Sequence, residues 1–158
     1  MTAGRLFIVC GLPGSGKTTH AKQLESAFNA IRFCPDEWLA YLALDLRDED
    51  SRSRIETLQW KLAQSLLVCG IPVIIEWGTW GRLERDALRL RARELGAAVE
   101  LHYLSVPLDE LFVRISQRGA EDPPIQAGEL QNWADIFQEP TGEELALFDP
   151  ATTPIPHI

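Results

Sequence analysis

The sequence predicts an α/β fold in which helices cover both faces of a small parallel β-sheet. Short apolar runs rich in β-branched residues alternate along the chain with stretches of helical spacing. A glycine-rich loop joins the first apolar run directly to the first helical stretch. The length of 158 residues suits a buried core, and we expect residues 1–158 to form one domain with about four or five strands.

The first half of the chain predicts two strands and three helices. RLFIVC at 5–10 is a buried strand, a helix follows at 17–29, and AIRFC at 30–34 is a second strand. PDEWLAYLAL at 35–44 begins a helix, because proline suits the first turn and the helix dipole favours acidic residues there. After the polar connection LRDEDSRSR, a longer helix is expected at 52–69, where apolar residues recur at steps of three and four.

The second half of the chain continues the alternation of strands and helices. The predicted elements are a strand at 71–77, a helix at 82–95, a strand at 97–106, a helix at 107–119, a Pro- and Gly-rich loop at 120–129, a short helix at 130–137 and an irregular tail at 149–158. Alternation of this kind indicates βαβ units, so the strands are expected to be parallel.

The composition favours a soluble protein without a polyanionic partner. The net charge is −8 and the sequence pI is near 4.9, whereas proteins that bind nucleic acid or anionic membranes normally carry a basic surface. No apolar run is long enough to span a bilayer, and the N-terminus lacks the features of a signal peptide. We therefore expect a cytoplasmic location and no membrane partner. Cys10, Cys34 and Cys69 lack the spacing of a metal site and are expected to be small buried hydrophobes.

The segment CGLPGSGKTT carries the strongest functional signal. Gly11, Gly16, Lys17 and Thr18 match the pattern G-x-x-x-x-G-K-[ST] between a predicted strand and a predicted helix. Glycines let backbone N–H groups approach phosphate oxygens, and the helix N-terminus favours negative charge. Lys17 reaches terminal phosphates, and the Thr18 hydroxyl can ligate Mg²⁺. The expected phosphate-binding residues are Gly11, Pro13, Gly14, Ser15, Gly16, Lys17, Thr18 and Thr19.

Two carboxylates follow predicted strands, where ligands of parallel sheets gather. Asp36 follows the second strand. If the bound nucleotide gives a phosphoryl group to a hydroxyl, Asp36 could serve as the general base or orient that acceptor hydroxyl; a helix-capping aspartate is the alternative. Glu76 ends the apolar run of the third strand. It could bind the acceptor or contact Mg²⁺ through water, or it could form a structural salt bridge.

Arginines and tryptophans complete the candidate site. Arg114 and Arg118 lie one helical turn apart at the start of a predicted lid, about 114–127, and Arg118 is the preferred partner of the transferring phosphoryl group; a solvated helix face is the alternative. Trp38 and Trp80 flank the two carboxylates and either line an aromatic acceptor pocket or belong to the core. Arg85 belongs to an arginine-rich helix face that is mostly salt-bridged, but it lies near enough to the third strand to be a candidate.

Five segments in chain order resemble a known family: GLPGSGKTT, RFCPDEWL, VIIEWGTWGRLERD, LSVPLDELFVRISQR and FQEPTGEEL. They resemble the small predicted P-loop kinases of the AAA-type ATP-binding group, relatives of polynucleotide kinase, chloramphenicol phosphotransferase and zeta toxins. The resemblance extends from residue 5 to about residue 148. It implies the three-layer α/β/α sandwich of P-loop NTPases with a helical lid, and ATP and Mg²⁺ as cofactors.

The resemblance also implies roles for individual residues. It assigns Lys17 and Thr18 to ATP·Mg²⁺, Asp36 to activation of the acceptor hydroxyl, Glu76 to a position where many relatives carry an aspartate that contacts acceptor or metal, Arg85 to an arginine that recurs after this segment, and Arg118 to the lid arginine.

One departure from the family's sequence pattern makes a nucleic-acid acceptor less favoured. Polynucleotide-kinase-like members carry an arginine three residues after the base aspartate, where it grips an acceptor phosphate, and Leu39 stands there in this chain. Together with the charge of −8, this favours transfer of the γ-phosphate of ATP to a hydroxyl of a small molecule. A 5′-hydroxyl kinase for nucleic acid or nucleotides, and a nucleotide-binding module without transfer, are the alternatives. The acceptor, the choice between ATP and GTP, and the oligomeric state stay open.

Overall fold

The structure, a computed structural model, describes residues 3–119 and 124–156. Its elements are, in chain order, β1 (Arg5–Cys10), α1 (Lys17–Phe28), β2 (Ile31–Phe33), α2 (Pro35–Tyr41), α3 (Glu49–Val68), β3 (Val73–Gly78), α4 (Arg82–Glu94), β4 (Ala98–Tyr103), α5 (Leu108–Arg118), α6 (Ala127–Ile136) and α7 (Gly142–Leu145). Among these helices, none is both long and apolar enough to cross a membrane.

The four strands form one parallel sheet in the order β2-β3-β1-β4. In register, Leu6 of β1 lies opposite Val73 of β3 and Val99 of β4. The predicted α/β class with a small parallel sheet is confirmed. Because all four strands run in one direction, their carboxyl ends share one edge of the sheet, and the loops that leave these ends lie next to one another.

Burial on both faces of β1 explains the three layers. Leu6 and Ile8 face a core formed with α3 and α4, whereas Phe7 and Val9 face a second core formed with α1. The strand therefore reads as a continuous apolar run, as expected for a strand covered by helices on both sides. A third cluster joins α5 to α6 and includes Leu12 of the glycine-rich loop.

Several element boundaries differ from the sequence predictions. Helix α3 begins at Glu49 rather than residue 52, because Asp48 caps it by accepting a hydrogen bond from the Asp50 N–H. Helix α2 ends at Tyr41, before a left-handed residue, Ala43, at φ 56°. The third residue of the polar connection, Asp48, is thus already the cap of the next helix.

The C-terminal third also departs from the prediction. Helix α6 begins at Ala127, inside the predicted loop, and α7 has no predicted counterpart. Residues 120–123 of the predicted loop and lid lie outside the described residues. The predicted tail lies against β4, where the Asp149 N–H donates to the Val99 carbonyl at 2.8 Å. Cys69 is exposed, so the prediction that all three cysteines are buried is wrong.

A buried polar chain connects α1 to β4. His20 Nε2 lies 2.7 Å from His102 Nδ1, and His102 Nε2 lies 2.8 Å from Glu100 Oε1. Glu100 also accepts hydrogen bonds from Arg5 and Thr152, so it is ionised and His102 Nε2 donates to it. A neutral His102 then accepts from His20 Nε2–H, which assigns both tautomers.

We predict that His20 makes stability sensitive to mild acid. Burial, together with the nearby His102, lowers the pKa of His20 from 6.5 to about 4. The unfolded chain therefore binds the proton first, so this contribution to stability is complete above pH 6.5 and is lost as the pH falls towards 4. The expected loss is about 3 kcal/mol.

The measurement is urea unfolding of wild type and His20→Gln between pH 7 and pH 4. Gln keeps a donor for His102 but does not titrate, and His102 titrates in both proteins, so the difference isolates His20. The wild type should lose stability more steeply below pH 6.5; parallel curves would contradict the assignment.

Candidate functional site

The glycine-rich loop lies at the shared edge of the sheet, between β1 and α1. Gly14 and Gly16 have φ values of 83° and 92°, which favour glycine. A Cβ at Gly14 would also come within 2.9 Å of Ile115 Cγ1 on α5. The loop therefore requires glycine for its turn and for close packing of α5, and Gly16 leads directly into the N-terminus of α1.

The residues of this loop fit a polyphosphate. Ser15 Oγ is buried and has no hydrogen-bond partner among the described residues. Lys17 Nζ donates to the Leu12 carbonyl at 3.0 Å, so its ammonium lies over the loop. Burial lowers the pKa of Lys17 to about 8, against the opposing effect of Glu76. A group that supplies negative charge would relieve this desolvation, which is what phosphates do at a helix N-terminus.

The other predicted loop residues surround the same turn. Gly11 is tightly packed, since a Cβ there would lie 2.6 Å from Ser15 Oγ. Pro13 is half-buried, and Thr19 is exposed. Thr19 also lines an open groove of about 640 Å³ that continues along α1 to Ala27.

Glu76 joins the loop to the neighbouring strands. Its side chain is buried, with 6% of the residue exposed, and its two oxygens accept from different partners. Thr18 Oγ1 donates to Oε2 at 2.9 Å, and Arg32 Nη1 donates to Oε1 at 3.2 Å. The Thr18 hydroxyl donates its hydrogen to Glu76. The lone pairs of its oxygen therefore point away from the carboxylate and remain available to a cation. Of the alternatives for Glu76, the salt bridge is therefore present, and the carboxylate lies beside the predicted Mg²⁺ ligand.

Sequence reasoning missed Arg32. It lies in β2, its side chain is 7% exposed, and it also donates to both oxygens of Glu37. A single charged residue inside the short apolar run AIRFC was the available signal, because a charge in a buried strand needs a partner.

Asp36 lies in the first turn of α2 and is held by an arginine that the sequence did not single out. Arg52 Nη1 donates to Asp36 Oδ1, and the aspartate side chain stays 62% exposed. The Arg52 guanidinium also donates to Glu56 Oε1 at 3.2 Å and to the Trp77 carbonyl at 3.3 Å. The structure thus brings the Asp36 carboxylate to the carboxyl end of β3.

The tryptophans lie in separate aromatic clusters. Trp38 packs edge-on against Phe33 at 6.0 Å between ring centroids, whereas Trp80 contacts Trp133 at 6.3 Å and Phe137 at 6.4 Å. No ring contact joins Trp38 to Trp80 in the described part of the chain. Both are half-buried, so each combines packing with a surface that a ligand can reach.

Arg85 is placed differently from the prediction. It is 1% exposed, and its Nε donates to both oxygens of Glu144 at 3.0 and 2.9 Å. Its other nitrogens donate to the Thr79 carbonyl at 2.7 Å and the Gln138 carbonyl at 2.6 Å. A guanidinium that is buried and bonded in this way does not face an acceptor. The assignment of Arg85 to the acceptor is therefore corrected to a structural one.

The two lid arginines end α5 beside the loop. Arg114 Nη1 donates to the Gly14 carbonyl at 3.3 Å, and its Nε donates to Glu110 at 3.2 Å. Arg118 is the last residue of α5 and is exposed. Arg114 is thus in contact with the phosphate loop. The role of Arg118 stays a prediction, because the predicted lid that follows it includes residues 120–123, which lie outside the described residues.

Comparison with known proteins agrees with this geometry. A family model described as an AAA domain matches residues 6–140. A gluconokinase from Sinorhizobium meliloti 1021 is similar in structure, with a TM-score of 0.63, 20% identity, and coverage of 90% of this chain and 80% of that chain. No curated protein matches the sequence.

Two further solved structures share the fold. The Pnkp1/Rnl/Hen1 RNA repair complex matches with a TM-score of 0.73 and 22% identity over 94% of this chain and 47% of that chain. The Mycobacterium tuberculosis APS kinase, in complex with AMPPNP and APS, matches with a TM-score of 0.58 and 18% identity over 86% of this chain and 98% of that chain. The expected P-loop kinase-like fold is confirmed.

We predict that nucleotide affinity falls above about pH 8. Phosphate binding favours charged Lys17, whose pKa is about 8, so binding above this pH must include proton uptake. The Kd for Mg·ADP should be constant near pH 7 and then rise, approaching tenfold per pH unit. Calorimetric titration from pH 7 to pH 9.5 measures this. Lys17→Arg stays charged throughout and should lose the pH dependence; a flat wild-type profile would refute the prediction.

We also predict that the Arg85–Glu144 pair is a main source of stability. Glu144→Ala leaves a buried guanidinium without its carboxylate and should cost about 3–5 kcal/mol. Glu143→Ala, one residue away on the same helix and exposed, is the matched control and should change stability by less than about 0.5 kcal/mol. Urea unfolding compares the two. Equal effects would argue against a structural role for Arg85.

Proposed function

The chain belongs to the family of AAA domains whose model it matches, and on this premise we propose that it is an ATP- and Mg²⁺-dependent phosphotransferase. In this proposal, the γ-phosphoryl group of ATP is transferred to a hydroxyl of a small-molecule acceptor. One observation carries the proposal: Glu76 near the end of β3 accepts a hydrogen bond from Thr18 of the phosphate loop, and the next residue, Trp77, accepts one from Arg52, which also donates to Asp36. The phosphate loop and the candidate base therefore face a common space at the edge of the sheet.

The donor half of the site consists of the loop and α1. Backbone N–H groups of the loop would bind the phosphates, and Lys17 would donate to the terminal phosphate oxygens. Thr18 would ligate the metal, with Glu76 fixing the direction of its hydroxyl. ATP supplies the transferable phosphoryl group, and Mg²⁺ would neutralise its oxygens. Arg114 and Arg118 would stabilise negative charge on the transferring group from the end of α5.

The acceptor half consists of α2 and the end of β3. Asp36 would accept the proton of the acceptor hydroxyl as the hydroxyl oxygen forms a bond to the γ-phosphorus, while the bond from that phosphorus to the bridging oxygen breaks and ADP leaves. Asp36 would later release the proton to solvent. Trp38 and Trp80 are the proposed apolar contacts of the acceptor. The exposed carboxylate of Asp36 is accessible from solvent, as a base that meets a diffusing acceptor must be.

Several features favour a small uncharged or cationic acceptor over nucleic acid. Leu39 is fully buried, so no side chain at this position of α2 grips a phosphate. Arg52 contacts the carboxylates of Asp36 and Glu56. The arginine nearest the candidate base is thus already paired with two carboxylates. Because the net charge of −8 disfavours binding to nucleic acid and to anionic membranes, we propose that the protein has neither as a partner and is cytoplasmic.

The test of the proposed function is a transfer assay with γ-labelled ATP. The acceptors are a panel of nucleosides, oligonucleotides, sugars and hydroxylated antibiotics. We expect one small-molecule class to become labelled. A labelled oligonucleotide would establish the nucleic-acid alternative instead, and tight binding of Mg-nucleotide without any product would favour a binding module.

We predict that Asp36→Asn lowers transfer about 10²- to 10⁴-fold, the usual contribution of a general base. The Kd for Mg·ADP should stay unchanged, because the donor half is intact. Asp50→Asn removes an exposed carboxylate on α3 that pairs with Arg54, so it is the matched control. Full transfer activity in Asp36→Asn would show that another group takes the proton.

A further inference from the structure

We propose that Arg52 is the positioning residue of the acceptor half, holding Asp36 in the orientation in which it accepts the hydroxyl proton. The assignment rests on the proposed function, since it concerns the same reaction. Arg52 lies in the first turn of α3 and approaches the site from a helix that holds none of the other proposed site residues.

The guanidinium is bonded on all three nitrogens. Nη1 donates to Asp36 Oδ1, Nε donates to Glu56 Oε1 at 3.2 Å, and Nη2 donates to the Trp77 carbonyl at 3.3 Å. These partners belong to three different elements: α2, α3 itself and β3. A planar fork fixed at three points cannot rotate without breaking a bond, so it holds the Asp36 oxygen that it contacts in one position.

The hydrogen bond from Arg52 to the Trp77 carbonyl of β3 links the Arg52–Asp36 contact to the phosphate loop. Trp77 follows Glu76, whose carboxylate binds Thr18 of the phosphate loop. Arg52 therefore ties Asp36 to the same strand end that orients the predicted metal ligand. The distance between base and donor is then set by the rigid edge of the sheet rather than by the exposed turn that carries Asp36.

The ion pair leaves Asp36 able to react. Only Oδ1 takes the Arg52 bond, and 62% of the side chain is exposed, so the carboxylate remains accessible to an acceptor. Arg52 does not itself need to touch the acceptor, because its nitrogens are already bonded within the protein.

The same helix offers a matched control. Arg54 lies two residues along α3 and pairs with Asp50 at 3.0 Å, one turn away, as Arg52 pairs with Glu56. Arg54 is 80% exposed, whereas Arg52 is 30% exposed. The two arginines thus share residue type, helix and a local ion pair, and differ in the contact with Asp36 and β3.

The experiment measures kcat and KM for transfer to the acceptor found in the panel, together with slow ATP hydrolysis, which needs only water as acceptor. In Arg52→Ala we expect kcat to fall about 10²-fold, the usual effect of a misplaced catalytic group, with the KM of the acceptor and the Kd of Mg·ADP nearly unchanged. Arg52→Lys should recover part of the loss, because an ammonium can pair with Asp36 but cannot reach all three partners. Arg54→Ala should stay within about twofold of wild type.

Non-additivity separates positioning from a general effect on structure. If Arg52 acts through Asp36, the double variant Asp36→Asn/Arg52→Ala should be no slower than Asp36→Asn alone. Additive losses would overturn the assignment, as would a raised acceptor KM with unchanged kcat, which would make Arg52 a binding residue. Should Arg52→Ala fail to fold, Arg52→Lys decides: a loss of about tenfold that disappears in the Asp36→Asn background supports positioning, and wild-type kcat overturns it.

The outcomes also separate this inference from the proposed function. An active wild type that Asp36→Asn inactivates and Arg52→Ala does not would overturn the role of Arg52 alone. A wild type that neither transfers phosphate nor hydrolyses ATP would overturn the proposed function, and the role of Arg52 with it.

Discussion

Burial of charge at the carboxyl end of β3 is the constraint on which the site depends. A carboxylate or guanidinium removed from water must be paired, because an unpaired buried charge costs several kcal/mol. Glu76 lies two residues before the end of β3 and is almost without exposure, and Arg85 enters the same region from α4. Each is therefore hydrogen-bonded to partners from other parts of the chain, and these bonds fix the positions of the surrounding loops.

The two buried charges organise different sides of the strand end. Glu76 holds Thr18 of the phosphate loop and Arg32 of β2, so it sets the register of the donor half against the sheet. Arg85 holds Glu144 and the Thr79 carbonyl, and Thr79 has a φ of 46°, which is unusual for a β-branched residue. That ion pair thus stabilises a strained turn immediately after the strand. The site is buried and ion-paired at Glu76 and exposed at Asp36, where the proposed acceptor would enter.

The sequence allowed the donor half to be predicted because its information is local. The glycines, Lys17 and Thr18 occupy adjacent positions, and the loop geometry follows from a strand, two left-handed glycines and a helix N-terminus. The parallel sheet was predictable for a similar reason, since apolar periodicity is a property of short segments. Element ends were less predictable: the polar run before α3 contains its cap and first turn, so the helix was predicted to begin at residue 52, three residues after its actual start at Glu49.

The acceptor half could not be predicted in the same way, because its contacts join residues far apart in the chain. Arg85 was expected at the acceptor on the strength of its distance from β3, but its partner Glu144 lies 59 positions later, on a helix of four residues that no periodicity reveals. Arg52 and Asp36 are 16 positions apart and belong to different helices. A buried arginine and its carboxylate leave no spacing rule in a single sequence, so only the packed structure distinguishes a structural ion pair from a ligand-binding one.

The donor half depends on adjacent residues and the proposed acceptor half on contacts between distant ones, and this difference affects how the choice of acceptor could change within one fold. Replacing a loop glycine or Lys17 would damage phosphate binding whatever the acceptor is, because each acts on the donor directly. The acceptor half is a set of contacts between α2, α3 and the end of β3, and a cation can be supplied to it from any of these elements. In this chain position 39 of α2 is a buried leucine, and the cation at Asp36 comes from α3. In the proposed reaction, an arginine supplied from α3 and anchored to β3 would hold the base in place but leave little of its charge for an anionic acceptor. If the proposed function holds, moving one cation between neighbouring helices would change which acceptor the site takes, while the sheet and the phosphate loop stay the same.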